Sequence, residues 1–341
     1  MPELESANWR GDHIGTTRVW GLVLWVFAWA CLSSCSSLQP KATTWPEVLE
    51  RLTPTREEVA LPLVEIPSGA TESPYAGVRV TCGGNDLLFQ IDTGSSVTVL
   101  RESLRRDLRL RPMGKAEAEG FGAESTEQDL HWTSSLALGD LALKAEPVTF
   151  LADSKFDQLP KVTPTRVDGI LGASLLQRGE IEFDGPNRRL IIRPFEKSTV
   201  QDSQNWIQLA HYENVNGYVV PLETGERSRV RFLLDTGSNV PLIFEEGQNL
   251  GARIKETHSI GESECSTFRG TYTLKAYRLP LPLGLGGYRF QPGLTVYVEP
   301  REDPRLDGSI GIPVIWSCKR VVLNRSLERA VFEPREAGPL S

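Results

Sequence analysis

Two acidic turns define the chemistry open to this chain. Residues 89–100 read FQIDTGSSVTVL, and residues 232–243 read FLLDTGSNVPLI. Each places an aspartate, Asp92 or Asp235, at the end of an apolar run and follows it with Thr, Gly and Ser. One such turn alone reads as an exposed loop, because Asp and Gly are turn residues and Thr suits strand ends. Two copies in matched contexts point to a pair. Carboxylates brought close together cannot both ionise, so they share a proton, and one apparent pKa rises while the other falls. Such a pair offers base and acid at once, and its titrations belong to the pair.

The elements around the turns repeat as well. VDGILGASLL, residues 167–176, matches LDGSIGIPVI, residues 306–315. From Asp92 to Asp168 is 76 residues and from Asp235 to Asp307 is 72, so the two halves share one plan. Short runs rich in β-branched and aromatic residues, among them YAGVRV, DLLFQI, SVTVL, LHWTSSLALG and EPVTFLA, predict strands. GGND at 83–86 predicts a hairpin turn, and so does GLGG at 284–287. RESLRRDLRL, residues 101–110, predicts the clear helix of the first half. Each half is then a β-rich lobe of about 120 residues, the size of one domain, with a polar link over 195–205. Two similar lobes suggest a pseudo-twofold pair whose equivalent turns meet at the interface.

Composition narrows the function classes. The chain has 341 residues, 40% of them hydrophobic, with net charge −7 and pI near 5.4. No basic stripe suits nucleic acid. His13, His131, His211 and His258 are scattered without paired spacing, so no metal site is expected. Residues 19–32 form a 14-residue apolar run behind Arg10 and Arg18, short for a membrane span and typical of a signal peptide. The run ends in Leu32-Ser33-Ser34-Cys35, which resembles the lipobox of bacterial lipoproteins. That resemblance implies cleavage before Cys35, a lipid on its thiol, and an outer-membrane anchor facing the periplasm, since Ser36 is not an Asp-type retention signal. The other readings are an ordinary signal peptide or an uncleaved anchor. Three cysteines remain. Cys265 and Cys318 either form a bridge, as export would permit, or stay buried thiols with Cys82.

The doubled pattern resembles the aspartic protease family over roughly residues 60–335, with lobes closer to compact retropepsin-like domains than to a pepsin lobe. The resemblance implies an all-β, bilobal acid-protease fold with its active site between two retropepsin-like barrels. The expected organisation is a signal peptide over 1–34, a linker over 35–60, lobes over 61–194 and 206–335 joined by 195–205, and a tail over 336–341. It implies a monomer with an internal pseudo-dimer, a peptide or protein substrate, and no cofactor. Asp92 and Asp235 would activate a water to attack the scissile carbonyl without a covalent intermediate. Thr93 and Thr236, by the same resemblance, bond across the interface. Gly94 and Gly237 leave room for the opposite backbone, and Ser95 and Ser238 are expected to hydrogen-bond the outer carboxylate oxygens. Gly172 and Gly311 would sit under the loops, where a Cβ would collide. Gly120, Phe121 and Gly122 are the candidate flap, with a weaker counterpart near SIGESECS; both also read as ordinary hairpin loops. No match to the pepsin flap tyrosine is present. The competing function is a non-catalytic envelope lipoprotein that uses the same fold to bind peptide or protein.

Overall fold

The computed structural model describes residues 52–335, except 53, 68–72, 121–122, 159–164, 213–214, 225–228, 268–269 and 301–305. The segment expected to be a signal peptide, Cys35, Phe121 and Gly122 therefore lie outside the described residues. In the first half the strands are Val59–Pro62 (β1), Val64–Ile66 (β2), Tyr75–Cys82 (β3), Asn85–Ile91 (β4), Thr98–Arg101 (β5), Leu110–Gly120 (β6), Ala123–Thr133 (β7), Leu136–Leu138 (β8), Leu141–Leu143 (β9), Glu146–Leu151 (β10), Gly169–Leu171 (β11), Glu180–Asp184 (β12) and Arg189–Arg193 (β13). In the second half they are Trp206–Gln208 (β14), Ala210–Tyr212 (β15), Val215–Thr224 (β16), Arg229–Asp235 (β17), Leu242–Glu245 (β18), Gly261–Thr267 (β19), Gly270–Arg278 (β20), Leu283–Leu285 (β21), Tyr288–Phe290 (β22), Thr295–Glu299 (β23), Gly308–Gly311 (β24), Cys318–Asn324 (β25) and Arg329–Pro334 (β26). The fold is all-β and bilobal.

The two lobes are built to one pattern. One ten-stranded sheet runs β6-β7-β10-β5-β11-β4-β3-β8-β9, with β2 on β3. The other runs β19-β20-β23-β18-β24-β17-β16-β21-β22, with β15 on β16, which is the same order element for element. In each, the strand carrying the D-G motif lies between the strands on either side of the acidic turn. Thus β11 pairs parallel to β4 and antiparallel to β5, and β24 pairs parallel to β17 and antiparallel to β18. The strands that lead to the turns are continuous apolar runs because they are covered on both sides. Phe89, Ile91, Phe232 and Leu234 are all buried in one apolar cluster that extends through both lobes.

A third sheet joins the halves. Its order is β1-β13-β12-β25-β26-β14, and the central pairing of β12 with β25 sets Ile181 opposite Leu323 and Phe183 opposite Val321. β1 begins at Val59, two residues inside the segment expected to be linker, because Val59 and Ala60 pair with Ile192 and Ile191. The link at 195–205 contains two short 3-10 turns, Phe195–Lys197 and Val200–Asp202.

Other local expectations are met or corrected. Gly83 and Gly84 take positive φ in the β3–β4 turn, and Gly286 does so in the β21–β22 turn, as two-residue hairpin turns require. The helix expected over 101–110 is only a 3-10 turn, Glu102–Asp107. Arg101 belongs to β5 and Leu110 to β6, so the flanking strands consume the ends of the segment. Cys318 is a buried free thiol, as is Cys82, so the bridge to Cys265 is not formed.

Candidate active site

The Asp92 loop is held by its own lobe first. The Asp92 N–H donates to the Leu171 carbonyl at 3.0 Å, and the Ala173 N–H to the Ser95 carbonyl at 2.7 Å. Asp92 Oδ1 then accepts the N–H groups of Gly94 and Ser95, at 2.9 and 3.1 Å. The second loop follows the same plan. Asp235 lies beside Gly311 in the β17–β24 pairing, the Ile312 N–H reaches the Ser238 carbonyl at 2.8 Å, and Asp235 Oδ1 accepts the Gly237 N–H at 2.9 Å.

The threonines lock the loops to each other. The Thr93 N–H donates to Thr236 Oγ1 at 3.0 Å, and the Thr236 N–H donates to Thr93 Oγ1 at 3.1 Å. Each hydroxyl then donates into the opposite lobe, Thr93 Oγ1 to the Leu234 carbonyl at 2.5 Å and Thr236 Oγ1 to the Ile91 carbonyl at 2.9 Å. Both side chains are buried. Each hydroxyl thus both donates and accepts across the interface, so neither loop can shift without leaving a buried polar group unpaired.

The glycines show how close the carboxylates come. A Cβ on Gly94 would stand 2.6 Å from Asp235 Oδ1, and one on Gly237 would stand 2.5 Å from the Asp92 carboxyl carbon. Each carboxylate therefore lies over the glycine of the opposite lobe, at a place only glycine leaves open. Below the loops, a Cβ on Gly172 would overlap the Val97 carbonyl, and one on Gly311 the Val240 carbonyl.

Burial pushes both carboxyls above the usual carboxylate range. For Asp235 the rise is larger, because the charge of Asp92 adds to burial. For Asp92 it is opposed by a hydrogen bond from Asp235 and by the N–H groups of Gly94, Ser95 and Gly237. Both shifts favour a pair that holds one proton readily, and its titrations belong to the pair.

Ser95 departs from expectation. Ser95 Oγ donates to the Val97 carbonyl at 2.8 Å, and the Ser238 hydroxyl lies beside Gly311, 3.1 Å from where a Cβ would stand. Both serines approach the carboxylates through backbone N–H groups. A serine hydroxyl readily satisfies a nearby backbone carbonyl two residues on, and that local bond wins here.

The acids of the two D-G motifs have a role that sequence reading left unassigned. Asp168 Oδ2 accepts the Leu88 N–H at 3.3 Å, and its own N–H donates to the Leu88 carbonyl at 2.8 Å. Asp307 Oδ2 accepts the Arg231 N–H at 2.7 Å, and its N–H donates to the Arg231 carbonyl at 2.8 Å. Each clamps the strand that delivers the catalytic-type turn. Their identical place in both motifs was the signal available.

Two long hairpins rise from the same sheets. β6 pairs with β7 out to Gly120 opposite Ala123, and β19 pairs with β20 out to Thr267 opposite Gly270. Gly120 is thus the last residue of β6, and the other two candidate flap residues lie outside the described residues. In the second lobe SIGESECS is mostly the rising strand, which continues to Thr267. Burial pushes the Cys82 thiol up to about 11 and the Cys318 thiol up to about 12, which leaves both poor nucleophiles. Among the described residues no group of three or more His, Cys, Asp or Glu side chains could hold a metal ion.

Residues 78–175 match the family model described as aspartyl protease. The matched span contains the Asp92 turn, the first hairpin and the first D-G motif, and ends before the second lobe. No curated protein matches the sequence. Among solved structures, the chain is similar to an aspartic proteinase from Irpex lacteus, at 13% identity and a TM-score of 0.46, over 82% of this chain and 98% of that one.

Proposed function

Residues 78–175 match the aspartyl protease family model, and on that premise we propose that the chain is an aspartic endopeptidase whose active site spans both lobes. The observation that carries this reading is the reciprocal placement of each carboxylate over the opposite glycine, with the two threonines bonded across the interface. Those contacts hold two carboxyls together where one proton serves both.

In the resting pair Asp235 keeps the proton and Asp92 is ionised. A water between them gives up a proton to Asp92 as its oxygen attacks the scissile carbonyl, and Asp235 donates to the carbonyl oxygen. The tetrahedral diol then collapses. The proton held by Asp92 passes to the leaving nitrogen, and Asp235 recovers its own from the diol. The carboxyls end as they began, and no bond to the protein forms. The fixed N–H groups around Asp92 need no reorganisation during the proton transfers.

Asp92→Asn and Asp235→Asn are each expected to abolish cleavage of a peptide library while retaining the folded circular-dichroism spectrum. A statine-type peptide, whose hydroxyl mimics the attacked carbon, is expected to compete with substrate. Near-full activity in either variant would overturn the shared-proton mechanism. Tight statine binding without any turnover in the wild type would favour a peptide-binding lipoprotein of the same fold.

The location follows from the N-terminal segment. We infer that Cys35 becomes the lipidated first residue of an outer-membrane protein facing the periplasm. Among the described residues no helix is long and apolar enough to cross a membrane. Metabolic palmitate labelling of the wild type and of Cys35→Ala tests this: label is expected in the first and not in the second.

A further inference from the structure

The two catalytic-type loops rest on different supports. In the second lobe the N–H of Gly311 donates to a backbone carbonyl, that of Pro241, at 3.1 Å. In the first lobe the equivalent N–H, of Gly172, meets a side chain, Thr98 Oγ1, at 3.4 Å. The Thr98 hydroxyl donates its proton to Glu146 Oε1 at 2.6 Å. Ser174 Oγ donates to the same oxygen, and Arg178 Nη2 donates to Glu146 Oε2 at 2.6 Å and to the Lys144 carbonyl at 3.1 Å. Thr98, Glu146, Ser174 and Arg178 are all within 1% of complete burial. The motif position of Ser174 is taken by Pro313 in the second lobe, within the buried helix segment Ile312–Trp316. The ionic support is therefore a property of one lobe.

A buried ion pair is weak evidence for stability, because desolvation can exceed the mutual attraction. What this pair does have is direction. A hydroxyl has one proton, and a carboxylate that only accepts fixes where that proton points. With it aimed at Glu146, the lone pairs of Thr98 Oγ1 are left to the Gly172 N–H. Next along the chain, the Ala173 N–H carries the Ser95 carbonyl, and Ser95 and Gly94 supply the N–H groups on Asp92.

We propose that Glu146 and Arg178 are positioning residues for the first lobe's catalytic loop, acting through the Thr98 hydroxyl on the seat beneath Asp92. The inference rests on the proteolytic reading for its kinetic consequence but not for its structural one. The carboxylate orients Thr98, the guanidinium holds the carboxylate as an acceptor, and the loop inherits a single position.

The test uses the full chain and two readouts, peptide cleavage and hydrogen exchange by mass spectrometry over residues 89–100 and 167–178. Thr98→Val keeps the shape and removes the hydroxyl; Thr98→Ser restores it. Thr98→Val is expected to speed exchange in both segments and lower kcat about tenfold, with KM within about twofold, as loss of alignment without loss of substrate contacts predicts. Thr98→Ser is expected to restore both. Glu146→Leu combined with Arg178→Met replaces the pair by apolar side chains, a change that folded proteins often tolerate, and is expected to reproduce the Thr98→Val result. If the double variant does not fold, the near-isosteric Glu146→Gln is measured in its place, with the same expectation. Wild-type exchange in Thr98→Val, or in a folded variant lacking the Glu146 carboxylate, would overturn the proposal. Should the wild type cleave nothing, the proteolytic reading fails by itself and the exchange data still decide the positioning role.

Discussion

At the scale of single residues, the site depends on the absence of side chains as much as on their presence. Gly237 faces the Asp92 carboxyl and Gly94 faces Asp235. Gly237→Ala must push one loop away from the other, and a displacement near 1 Å in such a site is worth about 100-fold in rate. We expect kcat/KM to fall by about that factor, read by peptide cleavage, with little change in far-UV circular dichroism. Asp235 illustrates the opposite balance. Its folded pKa is raised by burial and by the Asp92 charge, so its contribution to stability is complete below the unfolded carboxyl value of about 4 and declines as pH rises toward the folded value. Asp235→Asn removes that penalty. Its melting temperature is expected to exceed that of the wild type at pH 7 and to converge with it at acid pH, as scanning calorimetry across pH would show. An unchanged difference across that range would refute the account.

At the scale of elements, the link between lobes is tied down by one carboxylate. Glu180 opens β12 and is buried. It accepts from Ser198 Oγ at 2.5 Å, the Thr199 N–H at 2.9 Å, Thr199 Oγ1 at 2.8 Å and Asn324 Nδ2 at 3.0 Å. The link at 198–199, β12 of the first half and β25 of the second therefore meet at one side chain. Burial alone would raise the Glu180 pKa, but these hydrogen bonds outweigh it and hold the carboxyl below its usual value. A depressed pKa gives stability that is present above the unfolded value, about 4.3, and is lost as pH falls through the folded value. Glu180→Gln should cost about 1.5–3 kcal/mol at pH 7, the range for a hydrogen bond to a charged group. The difference from wild type should shrink in acid, measured by urea unfolding at several pH values. A constant difference would show that Glu180 is not ionised in the fold.

At the scale of the whole molecule, the lobes are not independent. They share the six-stranded sheet through β12 and β25, and their buried apolar residues form one continuous cluster. Cutting between them would expose the edge of β12 and strand the hydroxyls of Thr93 and Thr236. Residues 52–335 are therefore expected to unfold in a single calorimetric transition, with the calorimetric and van't Hoff enthalpies equal. Two resolved transitions would mean that each lobe carries its own core. Val321→Ala, which removes a buried side chain opposite Phe183 in the joining sheet, should lower the one transition by about 1–3 kcal/mol without splitting it.

The sequence by itself determined the repeat, the two acidic turns, the paired Gly motifs and the β character of both halves. These are local signals: residue alternation, turn chemistry, and a glycine wherever a Cβ has no room. The aspartates, threonines and glycines were all legible because one motif occurs twice, and a doubled pattern tells more than either copy. What the tertiary structure decided depends on partners distant in the chain. The Ser95 hydroxyl turned to the Val97 carbonyl, a choice between two acceptors that the sequence ranks equally. The segment after Arg101 became a 3-10 turn because strands on both sides of it found partners. Asp168 and Asp307 acquired roles only when β11 and β24 were laid beside the strands they clamp. Glu146 and Arg178 lie 32 residues apart, and neither belongs to a motif. Their meeting under one lobe, with a backbone carbonyl serving under the other, follows from strand pairing and burial, which act through space and leave no mark in local sequence.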